Sequence, residues 1–475
     1  MNLKTLLYYA LGPVAAAAIG LLSVPLLAWV FPVDAVGMVA ILNATLTGAA
    51  LVLTLGFDQS YVREFHDASN KVVLFRSVFI VPLSVTALFC LLLLVFHTKL
   101  ADWFLLPKDD SSKLITIFSI AIFSTVIFRF NSLIIRMQER PLILSLLQIL
   151  PKALILLAIP IVFFKGFDKS SISATFIFTF ALVINTALAC YLCRHELISA
   201  LFLKVKSDQN LDKRVKRFGL PLVLSGAILW CLSSFDRFLL TYFSDLESLG
   251  RYSVALSFAS AVTILQQIFS TVWTPQVYKL NKEGASIVQF EKVMINTLLG
   301  LAVAYILILI FSPATAWFIP KEYSVVVLLL PLCVLQPLYF TLSETTVIGI
   351  NISRKSHYML PVTIVALTVA VLLAVILIPK YKEVGAAISL ASGFFAFFMA
   401  RTEISRRIWK PFGVKKLYTV TAVIYFSAIA QAFFVGEYLV LFKIFVSTTL
   451  IIMLKNEIIG LKKREKNPSS DDKTP

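Results

Sequence analysis

Residues 77–96 read SVFIVPLSVTALFCLLLLVF, an uninterrupted apolar run without a single charged side chain. A helix of that length rises about 30 Å, the thickness of the hydrocarbon layer of a bilayer. Water is a poor solvent for such a segment, so it is expected to cross a membrane.

Runs of the same kind recur on both sides of it, with short gaps, from residue 5 to residue 455. A span needs about 20 apolar residues, and that criterion predicts about 14 transmembrane helices. They fall near 5–30, 36–56, 77–96, 114–134, 143–164, 171–193, 218–240, 249–273, 292–312, 324–350, 358–379, 384–401, 416–435 and 438–455. Composition agrees, with 59% hydrophobic and 15% charged residues and a mean hydropathy of +0.88. That leaves too little polar surface to cover a soluble globule of 475 residues. Ala15 to Ala18 resemble a signal-peptide cleavage region, but apolarity continues to Phe31, well past a typical h-region, so the first span is expected to stay.

The net charge of +17 does not point to nucleic acid, because Lys and Arg lie in short loops between spans rather than on one folded face. Their distribution reports topology. With the N-terminus in the cytoplasm, about 30 of the 43 Lys and Arg residues fall on the cytoplasmic side, as the positive-inside rule requires. Both termini are then cytoplasmic. The richest clusters are Arg194–Arg217, Arg401–Lys416 and Lys455–Lys473. The polar tail 461–475 is expected to be disordered. All five cysteines lie inside apolar runs, where thiols act as small hydrophobes. Cys190 and Cys193 form a C-x-x-C without a second pair or a neighbouring His, so no metal site is assigned.

The first six spans match the next six weakly but in order. Ala10-Leu-Gly12-Pro13 corresponds to Phe218-Gly219-Leu-Pro221, and Asp34-Ala-Val-Gly37 to Glu247-Ser-Leu-Gly250. Arg140 corresponds to Arg354, and Phe164-Lys165 to Pro379-Lys380. The offsets run 208, 213, 214 and 215. An even number of spans per copy gives a parallel repeat about an axis along the membrane normal, a geometry that encloses a shared cavity between two bundles. The fold class is therefore an all-α polytopic membrane protein of two pseudo-symmetric six-helix bundles plus two C-terminal helices. The bundles are placed at 1–200 and 201–410, the added helices at 411–460.

Polar stripes occur in matching helices. Ser253, Ser257, Ser260, Gln267, Ser270 and Thr274 share a face of the eighth span; Asn43, Thr47, Thr54 and Asp58 share one beginning in the second. Ser and Thr also serve as packing residues between membrane helices, but matched stripes favour a cavity lining. Ionisable residues inside spans are costly and mark function. Arg129, Lys152 with Gln148 and Ser145 on its face, and Arg237 are the cationic candidates for holding a phosphorylated anion. Glu344 and Asp236 are the candidates for carrying a coupling ion, since a shielded carboxyl takes up protons more readily. The structural alternatives are an interhelical salt bridge for Glu344, helix-end capping for Asp236 and Arg237, and snorkelling for Lys443.

His66, His97, His195 and His357 are scattered, and the chain has no phosphate-binding loop, nucleophile elbow or metalloprotease motif. An enzyme is not expected and no cofactor is assigned.

Several stretches carry a resemblance. Gly219-Leu-Pro221-Leu222, Trp230, Ser234, Asp236-Arg237-Phe238, Leu249-Gly250-Arg-Tyr252-Ser253-Val-Ala255 and Trp273-Thr-Pro275 resemble the flippases of polysaccharide biosynthesis that move O-antigen or capsule repeat units. The stretch Gly56-Phe-Asp58-Gln59-Ser-Tyr61-Val62-Arg63-Glu64-Phe65 is similar to that family's first cytoplasmic signature. The resemblance implies the multidrug/oligosaccharidyl-lipid/polysaccharide exporter fold and, as cargo, an undecaprenyl-pyrophosphate-linked oligosaccharide moved by alternating access. The partners expected are that carrier, membrane lipids, H+ or Na+, and enzymes of polysaccharide assembly; nucleic acid is not one. The competing readings are a drug or cation exporter of the same fold, which would want an acidic cavity, and a membrane polymerase or glycosyltransferase, which would want a larger extramembrane loop.

Overall fold

The computed structural model of the chain describes residues 3–68, 70–99, 110–202, 209–353, 355–434 and 437–466. Lipid offers backbone groups no hydrogen bonds, so a chain this apolar must satisfy them within each segment, and helices follow. In order they are α1 (Leu3–Val30), α2 (Val33–Leu53), α3 (Phe57–Glu64), α4 (Lys71–Val95), α5 (Ser111–Met137), α6 (Pro141–Lys165), α7 (Ser171–Leu192), α8 (Arg194–Phe202) and α9 (Gln209–Phe243). There follow α10 (Leu246–Lys282), α11 (Ile287–Phe311), α12 (Val326–Cys333), α13 (Leu335–Thr346), α14 (Ile348–Ile352), α15 (Met359–Ile408), α16 (Lys415–Gln431) and α17 (Glu437–Lys466). The run 77–96 lies in α4. Caps start the helices where loops leave the bilayer: Asn70 accepts from the N–H groups of Val72 and Val73, and Asp245 accepts from that of Ser248 at 2.7 Å.

Among the described residues eleven helices are long and apolar enough to cross a membrane. The difference from fourteen has identifiable sources. α15 runs through the predicted spans 358–379 and 384–401 but breaks at Lys382, whose φ of 46° and ψ of −124° are not helical. α16 has 17 residues, about 25 Å of rise, slightly less than the hydrocarbon thickness, and the apolar part of α17, Tyr438–Met453, is shorter still. The tail from residue 467 and the repeat mark Arg354 lie outside the described residues. Lys443 does not snorkel to water; it is buried and donates to Ser312 Oγ at 2.8 Å.

The duplication is visible in how helices pair. α1 packs along α6 as α9 packs along α15, and α5 packs on α7 as α13 packs on α15. The halves meet chiefly through α2 and α10, where two glycines at the 213-residue offset make reciprocal contacts. A Cβ on Gly37 would stand 2.1 Å from the Leu246 carbonyl oxygen, and one on Gly250 would stand 2.1 Å from that of Val33. Each glycine thus touches the residue four before its counterpart, as a two-fold relation demands.

Further contacts join the halves at each end. At the end carrying the α1–α2 loop, Trp29 Nε1 donates to the Phe318 carbonyl at 3.0 Å. Nearby, within the second half, Arg251 pairs with Glu383 at 2.9 Å, and Lys382 with Asp245 at 3.0 Å. Partial burial of Asp245 favours its neutral form, but the Ser248 N–H, the Lys382 ammonium and the Ser248 hydroxyl outweigh that and hold its carboxyl down at about 2. At the α3 end, Ser60 Oγ donates to the Val215 carbonyl at 3.0 Å and Arg214 Nε to Glu64 at 3.1 Å. Arg63 lies over the Phe218 ring, and Gly56 abuts Gly219 backbone to backbone.

Candidate functional site

Between the two ends α1, α2, α6 and α7 of the first half face α9 and α10 across a cavity of about 470 Å³. Small residues make the space: Ala16, Ala17 and Gly20 form the α1 wall, and a Cβ on Gly20 would meet nothing within 4 Å. The polar lining comes from Ser23 of α1, Asn43 and Thr47 of α2, Lys152 of α6, Arg237 of α9, and Ser253, Ser257 and Ser260 of α10. Toward the α3 end the same α10 stripe continues uncovered, with Gln267, Thr271 and Thr274 exposed.

Most hydroxyl donors of the lining are spent on their own helices, whereas the Ser253 hydroxyl is buried without a hydrogen bond. Thr47 donates to the Asn43 carbonyl at 2.6 Å, Ser257 to that of Ser253 at 2.9 Å, and Ser260 to that of Ser257 at 2.6 Å. Asn43 Nδ2 donates to the Val39 carbonyl at 2.9 Å. The cations differ. Arg237 spends one N–H on the Ser233 carbonyl at 3.1 Å and keeps the rest of its five-donor fork. Among the described residues neither Lys152 nor Arg237 forms a salt bridge, and no Asp or Glu lines the cavity. Lys152 stands about 16 Å along α6 from Pro141, near mid-depth. Lys152, with no carboxylate in contact, and Arg237, whose charge acts on the neighbouring buried Asp236, are the charged groups of the lining, and their field favours anions in the cavity.

Of the residues singled out in the sequence, Lys152, Arg237, Asn43, Thr47, Ser253, Ser257 and Ser260 come together here. The others lie elsewhere. Arg129 donates through Nη2 and Nε to Asp58 Oδ2 at 2.7 and 3.1 Å, and that carboxylate is buried; the two are partners at the α3 end rather than cavity lining. Gln148 packs against α1, its Oε1 buried without a hydrogen bond and 2.5 Å from where a Cβ on Gly12 would be. Gln267 is exposed on α10 beyond the cavity. Glu344 is held by Arg401 Nη1 at 2.7 Å, and Arg401 also donates to Ser343 Oγ at 2.8 Å and lies beside the stacked Phe340 and Phe397 rings. Asp236 faces away from the cavity: it is fully buried, accepts from the Tyr252 hydroxyl through Oδ2, and keeps Oδ1 without a hydrogen bond.

Sequence reasoning did not find Arg401 as the partner of Glu344, because it sits at the start of a basic cluster that reads as loop. Ser23 and Phe178 also line the cavity without having been expected there. Ser23 stands alone among apolar residues, and Phe178 has nothing to distinguish it from other aromatic residues of its span.

The comparisons with known proteins bear on this architecture. No curated protein sequence matches the chain significantly. Among solved structures, the lipid II flippase MurJ in an inward closed conformation superposes with a TM-score of 0.68 at 12% identity, over 95% of this chain and 99% of that one. An inward-facing multidrug resistance MATE family transporter gives 0.58 at 13% identity, over 86% and 96%, and a MATE transporter of Vibrio cholerae 0.57 at 15%, over 85% and 96%. At such identities the likeness establishes the fold, a multi-pass arrangement shared by flippases and exporters. Residues 3–281 match the family described as polysaccharide biosynthesis protein. With more than half its length matched, the chain belongs to the polysaccharide biosynthesis protein family, within a transporter fold.

Proposed function

We propose that the protein is a flippase that carries a polyprenyl-pyrophosphate-linked oligosaccharide, an O-antigen or capsule repeat unit, from the cytoplasmic to the outer leaflet of a bacterial inner membrane. The observation that carries this reading is the central cavity, whose wall holds Lys152 and Arg237, neither of them in a salt bridge among the described residues, and no acid. Guanidinium and ammonium groups shielded from bulk water bind phosphate oxygens through charge-assisted hydrogen bonds. A cation exporter would need the opposite sign of charge, so the same lining argues against the drug-exporter reading. The flippase named among the structural relatives acts on lipid II, a precedent for lipid-linked cargo on this fold.

The positive-inside bias puts the α3 end and both termini in the cytoplasm. The contacts at the α1–α2 loop end then close the cavity to the outside; toward the cytoplasm α3 and α9 stay in contact, and the cavity opens along the uncovered α10 stripe. Rocking of the bundles 1–200 and 201–410, with the α2–α10 contact parting at the loop end, exchanges these openings. Coupling to H+ or Na+ falls to Asp236, whose Oδ1 lacks a partner, or to Glu344, which would have to leave Arg401 to take part. Contact with assembly enzymes accords with delivery of the cargo to the outer face.

Sidedness of the accumulated intermediate tests the reading. A strain lacking the protein is expected to collect single lipid-linked repeat units on the cytoplasmic face. Unpolymerised units gathering on the outer face would identify a polymerase instead, and altered drug sensitivity with normal glycan export would identify an exporter.

A further inference from the structure

A second cavity, about 460 Å³, lies between α2, α4, α5 and α9. Except for Thr45 and the Trp230 indole nitrogen, every lining side chain is apolar, among them Ile41, Phe89, Leu93, Ile122 and Phe238. It is separated from the polar cavity only by α2, which turns Asn43 and Thr47 to one side and Thr45 and Gly48 to the other. The two spaces come closest at the α2–α9 seam, where consecutive residues part company: Arg237 lines the polar cavity and Phe238 the apolar one. Farther toward the α3 end this seam is shut. The Trp230 ring sits over Gly48, where a Cβ would lie 2.4 Å from it, Gly226 meets Leu51, and Gly219 meets Gly56.

A polyprenyl phosphate has a charged head and a chain that must stay out of water. Arg237 and Phe238 offer those two environments within one residue. We infer that the α2–α4–α5–α9 cleft holds the polyprenyl chain of the carrier while the pyrophosphate occupies the central cavity, and that Trp230 packed on Gly48 is the closed part of the seam through which head and chain remain connected. The inference rests on the flippase reading and adds where the chain lies. The occupant is the carrier chain rather than a bulk phospholipid because the cleft adjoins Arg237 of the polar cavity through Phe238, so that one molecule can place its phosphate in the first space and its chain in the second.

The test is photocrosslinking in proteoliposomes of phosphatidylethanolamine and phosphatidylglycerol containing labelled undecaprenyl phosphate, with benzoylphenylalanine in place of Leu93 or Ile122. The control is the same label at Leu372, an exposed residue of α15. Adducts with the carrier are expected to be several-fold stronger at Leu93 and Ile122 than at Leu372, and Ala49→Trp, which fills the cleft, is expected to remove that excess. Equal labelling at all three sites, or a phospholipid adduct at Leu93 that added carrier does not compete away, overturns the assignment. Carrier labelling stronger at Leu22 of α1 would also overturn it while leaving the flippase reading intact. Carrier labelling nowhere above background would remove both.

Discussion

Lys152 and Arg129 began as equivalent candidates, each a lone cation in an apolar run, and their surroundings separate them. Arg129 has a carboxylate within 2.7 Å; Lys152 has none. Lys152→Ala is therefore expected to lower translocation by about tenfold or more, from loss of a charge-assisted contact of about 1.5–3 kcal/mol. Lys152→Arg should retain most of the activity, with flux of labelled carrier-linked glycan into proteoliposomes as the measurement. For Arg129→Ala the expected outcome is a loss of stability of about 1–2 kcal/mol, because Asp58 stays buried without its cation. Adding Asp58→Asn should recover most of the loss in a detergent thermal-shift assay, and no recovery would show that the pair is not energetically coupled.

At the scale of elements, the α2–α10 contact depends on having no side chain at residues 37 and 250. Valine at Gly250 would put a Cβ 2.1 Å from a carbonyl oxygen of the neighbouring helix, and backbone on both sides leaves nothing flexible to yield. Gly250→Val is expected to separate the helices and open the α1–α2 loop end. A cysteine at Asn43, in a variant lacking the native cysteines, would then react faster with a membrane-impermeant maleimide added from that side. Gly37→Val should give the same result, since the duplication makes the two contacts equivalent. A change at one glycine but not the other would show that the pseudo-symmetry does not extend to function. The break at Lys382 is another feature of this scale: local sequence shows a polar interruption between two apolar runs, whereas its dihedral angles and its bond to Asp245 appear only in the assembled helix pair.

For the whole molecule, the alternating access we propose requires the contacts at the α1–α2 loop end to part once in every cycle. Trp29→Cys combined with Phe318→Cys, in a variant lacking the native cysteines, places two thiols on either side of a contact between the halves. Bridging them with a short bis-methanethiosulfonate reagent is expected to stop flux and reductant to restore it; undiminished flux with the bridge formed would rule out opening at that end. The membrane class, the repeat and most of the span positions were legible in the chain because apolar length and a near-constant offset are properties of linear sequence. The polar face of α10 was legible for the same reason, since helical periodicity alone puts Ser253, Ser257 and Ser260 in line. What periodicity cannot give is the company each charge keeps. Asp58 with Arg129 and Glu344 with Arg401 are separated by 71 and 57 residues, and such pairs form only when distant helices pack side by side. Sequence thus determined that this chain must live in a bilayer as duplicated helices, because solvation acts on each segment by itself. Tertiary structure decided which cations are neutralised and which face the central cavity, because Coulomb interactions depend on distances that only packing sets.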